Sequence, residues 1–403
     1  MPPVPPSPVA AASSPDASAF AEPPRLALVL PGGGARAAFQ VGVLKALADL
    51  VPRDAPLPFR VVSGTSAGAI LAALVASHAD RFRQGACSLE RFWRNFRIQD
   101  VFRTDTASML GSGLHFLLAL VSGGHLASPR SVFDNSPLRD LLERHVNFAR
   151  IRQHVDHGQL GAIAINASDY RTARSVSFYQ CRDPQAATLR HWHQGTPAEL
   201  SLDHLMASTA VPFLFPPVPI DGEYYGDGAM RQLAPLTPAI KLGADRLLVV
   251  GVRPPDDPGI RGAAEVIPHI AHGAGHGPTF GQIFGFMLDT LFMDGVQADL
   301  ERVERANELV AAAGAGATGL RRIEVLSLTP RVDFGPIAER HAGEVPSALR
   351  ALLRVMGAAN PGGRTLLSYL LFQGSFAREL IAHGYADAMA RREELQALLR
   401  SMP

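Results

Sequence analysis

A serine stands at the centre of the pentapeptide Gly64-Thr65-Ser66-Ala67-Gly68. The residues before it, Phe59 to Ser63, predict a strand, and the apolar stretch from Ala67 to about Ser77 predicts a helix. On such a tight turn the hydroxyl stands clear of the backbone, because glycines two residues away remove the side chains that would clash. The helix also directs its first amides at the reacting centre. The pattern indicates a nucleophile, and the alternative is a small-residue helix start with Ser66 as its N-cap.

A glycine-rich loop, Pro31-Gly32-Gly33-Gly34-Ala35-Arg36, occurs one strand and one helix earlier. It follows the apolar run Leu26–Leu30, which predicts a fully buried parallel strand, and it precedes helical apolar spacing that continues to Leu50. Neighbouring parallel strands would bring this loop to the same sheet edge as Ser66. Its unhindered amides could then stabilise an oxyanion, an effect of about 3–4 kcal/mol for each donor in hydrolases.

The same loop allows a second interpretation, which is dinucleotide binding. Gly32, Gly34 and Ala37 fit the spacing G-x-G-x-x-G/A of that fingerprint. Dinucleotide binding requires an acidic residue at the end of the second strand, where it would hold the ribose. The second strand here ends in Ser63-Gly64-Thr65-Ser66 instead. The loop alone is ambiguous, and together with the serine turn it favours hydrolysis.

An aspartate lies between two glycines in the segment Gly226-Asp227-Gly228-Ala229. The segment follows a predicted hairpin, in which Asp221-Gly222 joins strands at 218–220 and 223–225. Asp227 has two interpretations. It is either a structural turn residue, which is the commonest role for such an aspartate, or a base that accepts the proton of the Ser66 hydroxyl. The sequence alone gives no distance between the two side chains.

Histidine residues offer a different mechanism. Three of them lie close together in a glycine-rich segment: His269, His272 and His276. One of these could complete a triad in the order Ser66, Asp227, histidine, which is typical of α/β-hydrolases, although their surroundings favour a solvent-exposed loop. Two histidine pairs have metal-like spacing: His154/His157 and His191/His193. No acidic or thiol set completes either pair, so we expect neither a metal site nor a cofactor.

The composition excludes several classes of protein. The 403 residues are 47% hydrophobic and 19% charged, so the chain can bury a sizeable core and global disorder is excluded. A net charge of +1 argues against a general nucleic-acid binder. The two cysteines, Cys87 and Cys181, cannot form a disulfide framework or a four-thiolate zinc site. The first residues show no secretory signal and no apolar stretch reaches the roughly 18 residues of a membrane span, so we expect a cytoplasmic protein.

The elements that must position these residues predict an α/β fold with a mostly parallel central sheet. Further strands are predicted at 160–167, 174–179, 246–252 and 323–328, a loop at 254–278, and helical apolar spacing from about Phe280. We divide the chain into three parts. Residues 1–23 are a Pro/Ala-rich tail predicted to be disordered, 24–335 an α/β catalytic domain, and 336–403 a helix-rich C-terminal extension.

Four segments together resemble the patatin-like phospholipase family in their order and spacing. They are the 31–36 loop, the serine turn at 64–68, the run from Ala207-Ser208 through Pro212 to Pro217, and Asp227-Gly228-Ala229. The resemblance spans about 26–252 and implies a patatin-like three-layer fold. It also implies a Ser-Asp dyad in place of a triad, with Ser66 as the nucleophile and Asp227 as the base.

The same resemblance assigns the oxyanion hole and substrate contacts to one loop: Gly32, Gly33, Gly34, Ala35 and Arg36. Two residues depart from the family pattern. Ala37 stands where glycine is usual, and Ala229 stands where glycine is common but alanine occurs. Neither change removes a reacting group, so we expect the activity to survive.

A lipid ester, such as a phospholipid or lysophospholipid, is the substrate that the resemblance implies. Two apolar pieces too short to span a bilayer, at 109–121 and 280–292, are either core segments or a lid or membrane-facing surface. We therefore expect a lipid ester substrate, peripheral contact with the inner face of a membrane, and no nucleic-acid partner. A catalytically silent lipid-binding protein is the remaining alternative, and the oligomeric state has no prediction.

Overall fold

A computed structural model describes residues 25–103, 131–183, 194–254, 279–355 and 364–400. The predictions for the tail at 1–23, the apolar piece at 109–121, the pair His191/His193 and nearly all of the 254–278 loop, with its three histidines, lie outside these residues. Within the described ranges, no helix is both long and apolar enough to cross a membrane.

The described residues form one mostly parallel sheet of nine strands. The strands are β1 (Leu26–Leu30), β2 (Val61–Thr65), β3 (Ala162–Asp169), β4 (Arg174–Cys181), β5 (Gly195–Pro197), β6 (Val218–Ile220), β7 (Glu223–Asp227), β8 (Arg246–Val250) and β9 (Glu324–Leu328). Their order is β5-β4-β3-β2-β1-β8-β9, and the β6–β7 hairpin joins β3 through β7. The set β3-β2-β1-β8-β9 is parallel, whereas β4 and β7 run antiparallel to β3. This sheet confirms the predicted α/β fold class.

Helices cover both faces of the sheet. They are α1 (Ala38–Leu50), α2 (Ala67–Ala76), α3 (Phe82–Arg94), α4 (Ser136–His145), α5 (Phe148–Asp156), α6 (Leu202–Ser208), α7 (Thr237–Lys241), α8 (Phe280–Ala313), α9 (Ala315–Thr318), α10 (Phe334–Arg340), α11 (Ser347–Val355), α12 (Arg364–Leu370), α13 (Gly374–Ala390) and α14 (Arg392–Arg400). A short 3-10 turn, Gly34–Ala37, leads into α1. The C-terminal part is helical, as the sequence predicts.

The central strand β1 shows why its sequence is continuously apolar. Leu26, Leu28 and Leu30 face one apolar cluster, which α1, α2 and α13 help to complete. Ala27 and Val29 face a second cluster on the opposite side, which α7 and the second half of α8 help to complete. Since successive side chains of a strand point to opposite faces, a strand covered on both sides needs apolar residues throughout. The result is a three-layer arrangement of helices, sheet and helices.

The C-terminal helices share a core with the sheet-covering helices. Helix α13 crosses α1 so closely that a Cβ on Gly42 would lie 2.1 Å from the Ile381 carbonyl oxygen. On the other helix, a Cβ on Gly384 would lie 2.1 Å from the Phe39 carbonyl oxygen. The two backbones are therefore in direct contact, which only glycine permits at these positions.

Most predicted elements are present, with shifted ends. Strand β2 begins at Val61, two residues after the predicted start, and ends at Thr65, so it includes the first residues of the serine turn. The helix predicted from Ala35 begins as the 3-10 turn and becomes α-helical at Ala38. Helix α13 lies in the part predicted to be helix-rich, but the sequence did not mark it as a separate helix, because its buried face is built partly of alanine and glycine.

Candidate active site

Ser66 lies at the tight turn between β2 and α2. Its backbone has φ 54° and ψ −128°, a conformation that residues other than glycine rarely adopt. The flanking glycines make the turn possible, since a Cβ on Gly64 would lie 2.4 Å from the Gly68 carbonyl oxygen and one on Gly68 2.0 Å from the Leu30 carbonyl oxygen. The Ser66 side chain forms no capping hydrogen bond with α2, so the N-cap interpretation is not supported. The turn has the strain expected where a nucleophile is presented.

Asp227 ends β7 and reaches the same edge of the sheet as Ser66. Strand β7 pairs with β3 so that Ala167 lies opposite Asp227, and β3 in turn places Asn166 beside Thr65. A Cβ on Gly228 would lie 2.3 Å from the Asn166 carbonyl oxygen and 3.0 Å from Thr65 Cγ2. The topology therefore brings the aspartate and the serine turn into contact.

The Asp227 carboxylate is buried, with only 1% of the residue exposed. Its Oδ1 accepts a hydrogen bond from the Ala229 amide at 2.9 Å, and its Oδ2 has no hydrogen-bond partner among the described residues. Burial raises the pKa of this carboxyl to about 7, while the Ser66 hydroxyl and the Ala229 amide act in the opposite direction. Ser66 thus faces the carboxyl, although its hydroxyl and Oδ2 lack full hydrogen-bond geometry. Such bonds often tighten only when substrate is bound.

Asn166 on β3 connects the strands that carry this site. Its side-chain amide nitrogen donates to the Gly64 carbonyl oxygen and to Thr65 Oγ1, both at 3.0 Å, and lies 3.3 Å from Ser63 Oγ. Its side-chain oxygen accepts a 2.7 Å hydrogen bond from the Ser177 hydroxyl on β4. The residue is 1% exposed. A buried amide with both ends bonded fixes the backbone around it, because leaving either end unpaired would be costly.

Two further side chains hold the serine turn. The Ser66 amide donates to Ser208 Oγ at 2.9 Å, and that hydroxyl donates to the Asn166 carbonyl oxygen at 2.6 Å. The Thr65 hydroxyl donates to Gln232 Oε1 at 2.5 Å. Ser208 ends α6, and Gln232 follows the Asp227 turn, so the serine turn is tied to the segments on either side of Asp227.

The glycine loop adjoins the serine turn. A Cβ on Gly32 would lie 3.0 Å from Ser66 Cβ, which places the loop backbone beside the nucleophile. Gly34 has φ 52°, a left-handed conformation suited to glycine. The Gln40 side chain on α1 connects the loop to the end of β8 by donating to the Pro31 and Val250 carbonyl oxygens. The loop backbone therefore lies next to the Ser66 side chain.

The Arg36 side chain bonds to residues of helices α8 and α12. Its amide donates to the Gly33 carbonyl oxygen within the loop. Its buried guanidinium donates to Ser368, Asp289 and Tyr369. Arg36, one of the five residues predicted for the oxyanion hole and substrate contacts, thus ties the loop to helices α8 and α12. Ala35 is buried in the 3-10 turn.

An apolar pocket opens beside Ser66. Its wall combines helices α2, α3, α4, α8 and α12 with the segment after α6. Among the lining side chains are Ile70, Trp93, Phe96, Leu138, Phe215 and Leu288. Such a wall favours apolar groups over polar ones.

The apolar piece predicted at 280–292 is both core and surface. Phe284, Leu288 and Phe292 are buried, and the last two line the pocket. Ile283 and Phe286 on the same helix are 53% and 71% exposed. Helix α8 therefore links the pocket wall to an apolar surface.

Histidines of the described segments take no part in this arrangement. The nearest partners of Asp227 are Ser66 and Ala229, and no histidine is among them. His154 of the predicted metal-like pair bonds to Gln159 instead. Within the part of the chain that the structure describes, no group of three or more His, Cys, Asp or Glu side chains could hold a metal ion.

Comparison with known proteins agrees with the geometry. A model of the family described as patatin-like phospholipase matches residues 28–240. The chain belongs to the patatin-like phospholipase family. The match contains the glycine loop, the serine turn and Asp227, and it favours hydrolysis over dinucleotide binding. The Ala229 amide donates to Asp227, a contact that does not depend on the side chain at this position.

The following individual matches have either low sequence identity or a short matched region. Lysophospholipase NTE1 from Chaetomium globosum is 47% identical over 53 residues, which is 13% of this chain and 3% of that protein. VipD from Legionella pneumophila shares 13% identity over 92% of this chain and 67% of its own, with a TM-score of 0.34. The complex of full-length SpcU with full-length ExoU from the type III secretion system of Pseudomonas aeruginosa matches at 22% identity over 39% of this chain and 35% of the other, with a TM-score of 0.21.

Several residues of the site were not predicted to have roles. Asn166 and Gln232 lie in ordinary strand and loop sequence, and no local pattern marks them. Ser208 belongs to the run at 207–217, so its motif was visible but its contact with the Ser66 amide was not. Asp289 and Tyr369 lie far along the chain in segments without a motif.

Proposed function

We propose that this protein is a lipid acyl hydrolase that cleaves carboxylic ester bonds through Ser66 and Asp227. The observation that carries this proposal is a buried carboxyl, with its pKa raised to about 7, facing a strained serine at the mouth of an apolar pocket. Desolvation makes the carboxylate a stronger base than it is in water, so no histidine is needed to activate the serine.

The chemistry proceeds in two steps. Asp227 takes the Ser66 proton as Oγ attacks the ester carbonyl carbon, and amides of the Gly32–Gly34 loop stabilise the oxyanion. The protonated Asp227 then gives its proton to the departing alcohol, leaving an acyl-enzyme. A water molecule, deprotonated by Asp227, attacks this acyl group, and Asp227 then returns the proton to Ser66 Oγ as the C–Oγ bond breaks, which releases the fatty acid and the free serine.

The pocket and helix α8 support a lipid as the substrate. An acyl chain bound among the apolar side chains would place its carbonyl carbon next to Ser66. Ile283 and Phe286, on the helix that lines the pocket, give that helix an exposed apolar side that suits peripheral contact with a lipid surface. A phospholipid or lysophospholipid fits both features.

The test is fatty-acid release from phosphatidylcholine vesicles and lysophosphatidylcholine micelles. We expect wild type to release fatty acid and Ser66→Ala to lose roughly 1,000-fold or more of the rate. Ser77→Ala is the matched control, because Ser77 is equally buried at the other end of α2 and its hydroxyl bonds only locally, to Leu74 and His78. A folded wild type that binds vesicles without releasing fatty acid would contradict the proposal and favour the silent lipid-binding alternative.

A further inference from the structure

The side chain of Arg36 leaves the glycine loop and enters the C-terminal part of the molecule. Its Nε donates to Ser368 Oγ at 2.8 Å. Its Nη1 donates to Tyr369 Oη at 3.0 Å and to Asp289 Oδ1 at 3.2 Å, and its guanidinium carbon lies 3.9 Å from the centre of the Tyr369 ring. The residue is 4% exposed. Three C-terminal side chains therefore fix the orientation of this guanidinium.

Asp289 and Tyr369 are also bonded to each other. The Tyr369 hydroxyl donates to Asp289 Oδ1 at 2.6 Å, so one carboxylate oxygen receives both the phenol and the guanidinium. Burial raises the pKa of Tyr369, which keeps the hydroxyl protonated as a donor. The negative charge of Asp333 acts to raise the pKa of Arg36, and the positive charge of Arg253 acts to lower the pKa of Tyr369.

The same helices touch the loop backbone directly. A Cβ on Gly34 would lie 2.4 Å from the Tyr369 carbonyl oxygen, and one on Gly32 would lie 2.5 Å from the Phe292 ring. The Phe292 and Tyr369 rings lie 5.4 Å apart. Helix α8 therefore abuts the first glycine of the loop and helix α12 the third, while Arg36 ties the end of the loop to both helices.

We infer that Asp289 and Tyr369 are positioning residues for the oxyanion loop, and that the C-terminal segment thereby completes the active site. This inference rests on the proposed function. Both residues lie outside the 28–240 region that matches the family model. Neither touches the reacting atoms in the structure, so they act through Arg36 and the backbone of Gly32–Gly34.

The chemistry of the cluster favours a positioning role over a purely stabilising one. A buried ion pair contributes little net stability compared with apolar packing of the same volume, because both charges lose their hydration. It does impose direction, since a guanidinium held by three partners has few alternative orientations. An amide donor displaced by about 1 Å from the oxyanion loses much of its effect on the transition state.

The test uses two conservative variants of the full chain, Asp289→Asn and Tyr369→Phe. Each keeps the shape of the side chain, and each removes one part of the Arg36 contact. We expect either variant to lower kcat on p-nitrophenyl butyrate roughly tenfold while KM stays within about twofold. The rate of labelling by a fluorophosphonate should fall by the same factor. The double variant should lose no more than about the larger single loss, because residues that act as a unit are not additive.

Asp387→Asn is the matched control. Asp387 is a buried carboxylate on α13 that accepts hydrogen bonds from the Arg331 amide at 3.1 Å and from the Arg331 side chain at 2.7 Å, and Arg331 is not part of the glycine loop. This control should lower the melting temperature without lowering kcat. The inference is overturned if Asp289→Asn and Tyr369→Phe lower the melting temperature but leave kcat and the labelling rate at the wild-type values. If wild type neither hydrolyses the ester nor takes the label, the proposed function itself fails.

Discussion

The serine turn and the glycine loop lie side by side, but different parts of the chain hold them. The serine turn is fixed by a buried polar network, in which Asn166 and Ser208 bond to its backbone. The glycine loop is fixed by close backbone contact and by Arg36, which reaches Asp289 and Tyr369. Asn166 and Ser208 lie within the residues that match the family model, whereas Asp289 and Tyr369 lie beyond them.

This difference separates two requirements of the proposed reaction. The proposed nucleophile must lie beside the proposed base, and strands β2, β3 and β7 of one sheet place the Ser66 turn next to Asp227. The proposed oxyanion donors lie in the glycine loop, which follows β1 and is also held at Pro31 by Gln40. Helices α8 and α12 add contacts to Gly32, Gly34 and Arg36, so we propose that this loop also depends on a segment without a motif of its own.

The largest effect is expected from loss of the polar network. Asn166→Ala removes the donor to Gly64 and Thr65 and leaves the Ser177 hydroxyl without its partner. We expect kcat/KM for a soluble ester to fall about 100-fold, because the strained turn can relax away from Asp227. Steady-state kinetics of the purified variant provides the measurement.

A matched control separates this effect from ordinary loss of stability. Asn147 caps α5 by accepting from the Arg150 amide, and Asn147→Ala should cost about 1 kcal/mol of stability. It should leave kcat/KM unchanged. If the two alanine variants have equal activity, the network does not position the serine turn.

A smaller effect is expected on the loop side from Gly32→Ala. The new Cβ would meet the Phe292 ring at 2.5 Å, and either the ring or the loop must move. We expect kcat to fall about tenfold and the added change Phe292→Leu to restore part of it, because a smaller side chain relieves the overlap. Gly343→Ala is the control, since a Cβ there meets nothing within 4 Å. A double variant no more active than Gly32→Ala would show that the clash with Phe292 is not the cause.

The smallest effect concerns stability and pH. Folded Asp227 keeps its proton up to a pKa of about 7, whereas the unfolded chain releases it near the ordinary value of about 3.9. The unfolded state therefore binds fewer protons between these values, so this residue lowers stability as pH rises from about 4 to 7. The melting temperature of Asp227→Asn should lie a few degrees above that of wild type at pH 8, because a gain of a few kcal/mol in the free energy of unfolding raises it by about that much. The difference should shrink towards pH 4.

Asp221→Asn provides the control for that measurement. Asp221 is exposed in the hairpin turn with φ 50°, a conformation that asparagine also tolerates. Its melting temperature should follow wild type at every pH. A melting temperature of Asp227→Asn that lies below wild type at pH 8 would contradict the buried, costly carboxylate.

The sequence alone predicts the elements that a local pattern of residues specifies. The apolar run at 26–30, the glycines around Ser66 and the Asp221-Gly222 hairpin each specify a local structure, and each is found. That Ser66 and Asp227 lie close together depends on the order of the strands in the sheet, which no local sequence pattern contains. A parallel strand pair accounts for the glycine loop beside the serine turn, but Asp227 arrives on an antiparallel strand from a hairpin.

The supports of the site could not be read from the sequence. Asn166 sits in a strand in which any polar residue could be solvent-facing, and only the pairing with β2 reveals its partners. The family resemblance implies that Arg36 belongs to the oxyanion hole, and no sequence pattern indicates that its long side chain reaches acceptors on α8 and α12. Contacts between residues so far apart in the sequence depend on tertiary packing, and neither segment has a sequence pattern that predicts them.

If buried Asp227 deprotonates Ser66, the rate of fluorophosphonate labelling must depend on pH, and this dependence tests the proposed mechanism most directly. The label is mapped to its residue by mass spectrometry, and its rate is measured from pH 5 to 9 for wild type and Asp227→Asn. We predict labelling at Ser66, with a wild-type rate that rises about tenfold per pH unit below about 7 and levels off above it. The Asp227→Asn variant should label slowly throughout this range. A label on another residue, or a wild-type rate independent of pH between 5 and 7, would contradict the account.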